Sequence, residues 1–177
     1  MLNAYALADG RLEKLDVSEE GPIPQRAVWI DLRSPTPTDS ARAAALAKIE
    51  VPSEADLDVL SDTERLYRQN GALYLEFTVL HRSAPGAIPE TTDLAAIVAG
   101  DRLVTVRYAD PLPITRYIAS HESTPCVSPT GMGIMVGLIE SFVARIGEYV
   151  GANSAELYQI SREVFRGKGN ELGTREL

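Results

Sequence analysis

Three side chains in this sequence could bind a soft metal ion: His81, His121 and Cys126. Protein zinc sites use histidine nitrogen and cysteine sulfur, and their ligands recur at short, regular spacings. These three residues are scattered and match no such spacing, so the sequence predicts no zinc site from them. We expect His81 at a strand end, His121 facing solvent and Cys126 in the core. A single cysteine also excludes an intrachain disulfide and indicates a reducing compartment.

Carboxylates could instead bind a hard cation. Glu54 and Asp58 lie four residues apart on a predicted helix, so their oxygens could hold such an ion loosely. The alternative is that acidic clusters form solvated faces or favourable charges at helix N-termini. The local clusters are Glu19-Glu20, Glu54-Asp56-Asp58 and Glu90-Asp93.

A glycine-rich run, Gly131-Met132-Gly133, falls short of a dinucleotide-binding fingerprint. The third glycine, Gly137, comes one residue late, and no strand immediately precedes the run. Gly133 and Gly137 lie four residues apart on one face of a predicted helix. The pattern therefore favours close packing of that helix against a neighbouring helix or sheet.

No catalytic motif is present in the sequence. It has no Walker loop, nucleophile elbow or recognisable Ser/His/Asp set. Arg102 and Arg107 flank a predicted hairpin strand, where we expect them to cover a sheet edge rather than to bind an anion. We predict no catalytic and no cofactor-binding residue, leave the metal-binding residues unassigned, and expect a protein that is not an enzyme.

Composition limits the class of protein further. The chain has 177 residues, 45% of them hydrophobic, which suits one domain with one sizeable core. A formal net charge of −8 argues against nucleic acid and anionic lipid as partners. The longest apolar stretch, Met132 to Ile139, is far shorter than the roughly 20 residues of a membrane span. As given, the chain is predicted to be soluble.

Three turn signals predict antiparallel hairpins: Asp9-Gly10, Asn70-Gly71 and Gly100-Asp101. Each pair tolerates the positive φ of a tight turn and is flanked by short apolar runs. The predicted strands are 2–7, 11–17, 27–32, 65–80, 94–98 and 101–108, the fourth containing the turn at Asn70-Gly71.

Capping signals predict the helices that cover these strands. Thr36, with Pro37 and Asp39, starts one helix, and Ser53 with Asp56 starts a short one ending at Leu60. Others are predicted at 113–120, opened by Asp110-Pro111, and after Ser128-Pro129. The last carries an apolar stripe at steps of three and four, could be divided at Gly151, and precedes a linker over 166–173. Its stripe is Met135, Ile139, Phe142, Ile146, Val150, Leu157, Ile160 and Val164.

Together these elements predict an α/β (α+β) fold. A mixed, largely antiparallel sheet with helices on both faces, a three-layer α-β-α sandwich, is the simplest way to bury all the apolar stripes.

The order of elements resembles the N-terminal cytoplasmic domain of CorA-type divalent-cation transporters, including the ZntB-like branch. An early hairpin is followed by Trp29-Ile30-Asp31-Leu32 before a helix, Pro52 to Leu60 before a strand pair, and the Arg65 to Tyr108 hairpins. Leu138 to Val143, leading to Arg162 to Phe165, is similar to the paired helices that precede the stalk helix of that family. The run Gly131-Met132-Gly133, which Ile134 follows, is not the Gly-Met-Asn pore signature of that family.

This resemblance implies a function that the residues alone do not. Residues 1–166 would be the cytoplasmic regulatory and assembly domain of a divalent-cation transporter, and 167–177 a linker and the start of a stalk helix. The transported ion would be Mg²⁺, with Zn²⁺, Co²⁺ and Ni²⁺ left open, and no cofactor would be tightly bound. The full-length protein would be a homopentamer at the cytoplasmic face of the inner membrane, and the membrane would be reached only through C-terminal segments.

The sequence departs from the family at its cation-sensing positions. Sensing members carry carboxylates at the strand end and in the long helix, where this chain has Ser83 and Ala144-Arg145. The resemblance therefore assigns no metal-binding residue here. A free-standing cytosolic α/β small-molecule-binding domain or an unrecognised enzyme remains the alternative. Two apolar segments of about 20 residues with Gly-Met-Asn between them, encoded after Leu177, would favour the transporter.

Overall fold

Seven strands form one sheet in the described part of the computed structural model. The structure describes residues 1–19, 21–59, 65–82, 88–126 and 128–172. Within these ranges the side chains of residues 58, 59, 82 and 166–172 are not described. The spatial order is β2-β1-β3-β7-β6-β5-β4. Only β3 and β7 among these strands pair in parallel, so the predicted mixed, largely antiparallel sheet is confirmed. The strands are β1 (Leu2–Ala8), β2 (Arg11–Leu15), β3 (Trp29–Arg33), β4 (Leu66–Gln69), β5 (Ala72–Arg82), β6 (Glu90–Ala99) and β7 (Arg102–Arg107).

The three predicted turns all connect neighbouring antiparallel strands. Asp9-Gly10 joins β1 to β2 with φ of 51° and 78°, and Asn70-Gly71 joins β4 to β5 with φ of 51° and 81°. Gly100, with φ of 58°, starts the turn between β6 and β7. Positive φ at these positions strains most other residues, which explains why the turns were readable from sequence.

Helices cover both faces of the sheet. They are α1 (Pro37–Ala47), α2 (Glu54–Val59), α3 (Leu112–His121) and α4 (Gly131–Leu172). Ala43 of α1 and Leu57 of α2 share one core with Ile30 and Val104. Ile114 of α3 and Ile134 of α4 belong to a second core, which also contains Trp29 and Leu103. The three-layer α-β-α arrangement is therefore confirmed.

The first two helices begin where their capping residues predict. The Thr36 hydroxyl accepts from the Asp39 N–H at 3.2 Å, and the Asp39 carboxylate accepts from the Thr36 N–H at 3.2 Å. Ser53 and Asp56 make the equivalent reciprocal bonds before α2. Each pair satisfies backbone donors that an α-helix leaves unpaired at its start. The predicted end of α2 at Leu60 lies outside the described residues.

The expected start of α4 is wrong in detail, whereas the expected opening of α3 by Asp110-Pro111 is confirmed at Pro111. Thr130, not Ser128-Pro129, caps α4, since its hydroxyl accepts from the Gly133 N–H at 3.1 Å, while the Ser128 carbonyl is occupied by the Thr130 N–H. Pro111 occupies the cap position of α3 without a side-chain bond. Asp110 does not cap α3, because its carboxylate binds arginine instead.

The long helix is also more continuous than expected. It does not divide at Gly151, and the segment predicted as a linker is helical from 166 to Leu172. The side chains of Asn153 and Ser154 donate hydrogen bonds to the backbone carbonyls of Tyr149 and Val150, respectively, so neither residue interrupts the helix. One glycine costs only about 1 kcal/mol relative to alanine, which is too little to break a helix of this length.

The glycines early in α4 have the packing role expected of them. A Cβ at Gly137 would lie 2.6 Å from the ring of Tyr117 on α3, and a Cβ at Gly133 would lie 2.2 Å from the Ser128 carbonyl oxygen. Both distances are shorter than Cβ atoms tolerate. Glycine therefore lets α4 approach α3 and its own preceding loop closely.

Candidate functional site

A buried ion pair joins the two central parallel strands. Asp31 of β3 is fully buried, and Arg107 of β7 is 4% exposed. The Arg107 guanidinium donates to both oxygens of Asp31, at 2.9 Å from Nε and 2.8 Å from Nη2, and the Thr105 hydroxyl adds a bond of 2.9 Å. Bidentate geometry and a full set of partners are what a buried charge pair needs to offset its loss of water.

This network reaches the surface at Asp110. Arg107 also donates to Asp110, which receives a second bond from Arg33 at 2.9 Å. Burial alone would raise the pKa of the Asp110 carboxyl, but its bonds to Arg107 and the positive charges of Arg107 and Arg33 lower it below its usual value. The network thus ties β3, β7 and the start of α3 together. It leaves no oxygen of Asp31 free for a ligand.

The expectation for Arg102 and Arg107 is wrong, since neither covers a sheet edge. Their strand, β7, lies inside the sheet between β3 and β6. Arg107 binds Asp31, and Arg102 donates to the carbonyls of Ala27 and Gln25 at 3.1 and 2.8 Å. A signal for the ion pair was present in the sequence, because an aspartate within the apolar strand Trp29-Ile30-Asp31-Leu32 requires a buried cationic partner.

The three candidate soft-metal ligands do not form one metal-binding group. Cys126 is buried, with the Tyr117 hydroxyl donating to its Sγ at 3.9 Å, and His81 lies near the end of β5, both as expected. His121 is half-buried against the Tyr117 ring, 4.1 Å between centroids, rather than facing solvent. Within the described residues, no three His, Cys, Asp or Glu side chains come together as a metal site.

The carboxylate clusters are partly used in local structure. The Asp56 carboxylate accepts from the Ser53 N–H at the start of α2, and Asp93 on β6 accepts from the Thr78 hydroxyl at 2.6 Å. Glu54 is exposed. The side chain of Asp58, and Glu20, lie outside what the structure describes.

The described residues that the resemblance matches to cation-sensing positions, Ala144 and Arg145, are not carboxylates. Ala144 is exposed, and Arg145 donates to Glu148 at 3.0 Å. Arg116 of α3 also contacts Glu148, at 3.3 Å. Arg145 of α4 and Arg116 of α3 therefore both contact the Glu148 carboxylate. Ser83 lies outside the described residues.

The apolar stripe of α4 is covered only near its start. Met135 and Phe142 are buried against the sheet, but the later members are about half exposed or more, from 46% at Ile146 to 68% at Leu157. We call these later residues, with Val143, the outer apolar face: Val143, Ile146, Val150, Leu157, Ile160 and Val164. A cavity of about 240 Å³ adjoins it, lined in part by Leu75 and Phe77 of β5.

An exposed apolar surface of this kind marks a protein interaction site more often than a free surface. The residues after Phe142 run for about 30 positions, or roughly 45 Å of helix at 1.5 Å per residue. The outer apolar face is therefore the candidate functional surface. Throughout the described chain, no helix combines the length and apolar character needed to cross a membrane.

Comparison with known proteins places these features in a family. A family model described as "CorA-like Mg2+ transporter protein" matches residues 24–176. The magnesium transport protein CorA of Escherichia coli K12 is 25% identical over 173 residues, covering 97% of this chain and 54% of that protein. CorA of Haemophilus influenzae is 23% identical over 172 residues, with 97% and 53% coverage. The chain spans about half the length of these curated relatives.

Solved structures share the fold. The soluble domain of CorA from Methanocaldococcus jannaschii matches with a TM-score of 0.64 at 16% identity, covering 94% of this chain and 65% of that one. The ZntB cytoplasmic domain from Vibrio parahaemolyticus matches with a TM-score of 0.62 at 14% identity, with 89% and 63% coverage. At these identities the likeness concerns the fold alone.

Proposed function

The chain belongs to the CorA-like Mg²⁺ transporter protein family, and from this premise we propose that it is the cytoplasmic regulatory and assembly domain of a divalent-cation transporter. The observation that carries the proposal is the match over residues 24–176. Relatives of about twice the length, named as magnesium transport proteins, support Mg²⁺ as the transported ion. The likeness to a ZntB domain keeps Zn²⁺, Co²⁺ and Ni²⁺ open as alternatives.

The proposal gives the chain an indirect role in transport. Residues 1–166 form the domain, and 167–177 lead into the stalk helix of a homopentamer at the cytoplasmic face of the inner membrane. Because α4 remains helical to Leu172, that lead begins as helix rather than as linker. The domain is not an enzyme, holds no tight cofactor and does not bind nucleic acid. The outer apolar face supports an assembly role, since its side chains are exposed to solvent in the single chain.

A chimera tests this function. The chain would replace the matching half of Escherichia coli CorA, and the chimera would be expressed in cells that lack their own Mg²⁺ transporters. We expect growth at low external Mg²⁺, as with intact CorA, and none with the membrane half alone. A chimera that reaches the membrane at the level of CorA and supports no growth would refute the assignment.

We predict that the isolated chain is a monomer or a weak oligomer at micromolar concentration. The described residues include no helix that could cross a membrane, so membrane helices cannot hold these residues together, and interfaces well below about 1,000 Å² are usually weak. Light scattering across a concentration series measures this. Any association should fall when Ile146 and Val150 are both replaced by Glu, and should survive the same change at Ala155 and Gln159, exposed residues on the opposite side of α4. A stable pentamer at low concentration would contradict the prediction.

We also predict weak, non-saturating Mg²⁺ binding by the isolated chain. Mg²⁺ needs several oxygen ligands and releases its waters reluctantly, whereas Ala144 and Arg145 stand where the family has carboxylates. The Arg145 charge would repel the ion further. Binding to the folded state raises stability by RT ln(1 + [L]/Kd), so millimolar Mg²⁺ should leave the melting temperature unchanged. A saturable calorimetric titration with a micromolar Kd would show that the positions were wrongly matched.

A further inference from the structure

Glu76 of β5 has a buried carboxyl group whose two oxygens differ in their hydrogen bonding. Its side chain is 4% exposed. Oε1 accepts a hydrogen bond of 3.0 Å from the Tyr67 hydroxyl, while the buried Oε2 has no hydrogen-bond partner within the described structure. Asp31, equally buried, has partners on both oxygens. An ionised carboxylate with one oxygen left bare in the interior is strongly disfavoured.

The charges around Glu76 also oppose its ionisation. The described titratable groups that face it are Asp56 of α2, Asp93 of β6, and Arg65 and Tyr67 at β4. Burial raises the pKa of the Glu76 carboxyl most, and the charges of Asp56 and Asp93 raise it further. The Tyr67 hydrogen bond and the Arg65 charge act the other way without cancelling these effects, so the pKa stays above its ordinary value.

A cation could in principle take the place of the proton on Oε2. Hard cations need several oxygen ligands. No group of three acidic, histidine or cysteine side chains suited to a metal exists among the described residues, and Asp56 and Asp93 are already bound by Ser53 and Thr78. A proton therefore fits Oε2 better than a metal cation does.

We propose that Glu76 binds its proton more tightly in the folded domain than in the unfolded chain and that losing it loosens the β4–α2 corner, meaning α2, β4 and the adjoining part of β5. Tyr67 both bonds Glu76 and stacks on Tyr74, 4.9 Å between centroids. The corner is a place where opening is easy, because β4 is a four-residue strand at the edge of the sheet. The domain would thereby carry a proton-sensitive element beyond its proposed role in transport.

The sign of the pH dependence follows from the raised pKa. A carboxyl group that binds its proton more tightly when folded stabilises the fold fully below its unfolded pKa, about 4.3. That stabilisation is lost as the pH rises through the folded pKa. Within this window the unfolding equilibrium constant should rise with pH on account of Glu76 alone, by up to about tenfold per pH unit.

Chemical unfolding at a series of pH values from about 4 to 8 tests the proposal. In Glu76→Gln this pH-dependent component should vanish, because glutamine cannot ionise. The control is Glu13→Gln on β2, an exposed strand glutamate 3.7 Å from Arg26, which should keep the wild-type slope. A Glu76→Gln protein with the wild-type slope would overturn the proposal.

A second measurement decides the matter if Glu76→Gln does not fold. Carbon-13 NMR of the Glu76 carboxyl in the native chain should show a titration midpoint above that of ordinary glutamates. In Tyr67→Phe the midpoint should move higher still, since the hydroxyl that favours the carboxylate is gone. A native midpoint at or below the ordinary value would overturn the proposal.

Discussion

Replacing Asp31 with alanine should lower the free energy of unfolding by about 3–5 kcal/mol. The change removes the buried partner of Arg107, which is 4% exposed and would keep its charge in the interior with only Asp110 as an acidic partner. It also leaves the Thr105 hydroxyl without its acceptor. Urea unfolding at neutral pH, followed by circular dichroism, measures the loss. A cost this large is a substantial fraction of the total stability of a domain, which runs from about 5 to 15 kcal/mol.

Arg33→Ala provides the matched control for the buried pair. Its bridge to Asp110 joins side chains that are 37% and 49% exposed, and such pairs contribute about 1 kcal/mol or less. Replacing both members of the buried pair, as Asp31→Val with Arg107→Met, should recover part of the loss, because no charge then remains buried. Equal costs for Asp31→Ala and Arg33→Ala would contradict the structural account of the network.

Gly131→Ala should destabilise the domain, whereas Gly151→Ala in the same helix should stabilise it. A Cβ at Gly131 would lie 2.4 Å from the carbonyl carbon of Arg102 and 2.5 Å from the nitrogen of Leu103. Both are backbone atoms of the sheet, so the helix would have to shift, at about 1–3 kcal/mol. At Gly151 nothing lies within 4 Å, and alanine should gain about 1 kcal/mol in helix propensity.

Thermal unfolding of the two glycine variants gives the comparison directly. The melting temperatures should move in opposite directions from that of the parent chain. The result bears on function, because the start of α4 on the β6–β7 turn sets where the outer apolar face projects. Shifts of the same sign and size would show that α4 is not seated on the sheet as described.

Local chemistry made part of this fold predictable. The turns at Asp9-Gly10 and Asn70-Gly71 depend on neighbouring residues and their φ, and the Thr36 cap on a residue three positions away. The parallel pairing of β3 with β7 was not readable, because the Asp31 and Arg107 partners stand 76 positions apart in sequence. The error at Ser128 was also local, since Thr130 offered an equally good cap two residues later.

The candidate site was predictable only in outline. The apolar stripe of α4 indicates an amphipathic helix. Which of its residues are buried depends on the width of the sheet that the helix packs on, and Ile146 is already exposed. Glu76 gave a weaker signal, a glutamate in the alternation of β5 on the same face as buried Tyr74. Its missing partner on Oε2 could be seen only once α2 and β4 were in place.

Mg²⁺ flux through the chimera with the membrane half of Escherichia coli CorA tests the central claim most directly. Purified chimera in liposomes that contain a Mg²⁺-sensitive dye should show uptake driven by external Mg²⁺. We expect a rate within about tenfold of that of intact CorA, because a change of about 1.4 kcal/mol in the coupling between the two halves corresponds to a tenfold change. Liposomes with a chimera carrying Asp31→Ala should show less, in proportion to its unfolded fraction. A folded, assembled chimera that takes up no Mg²⁺ would contradict the proposal that this chain is the cytoplasmic domain of a divalent-cation transporter.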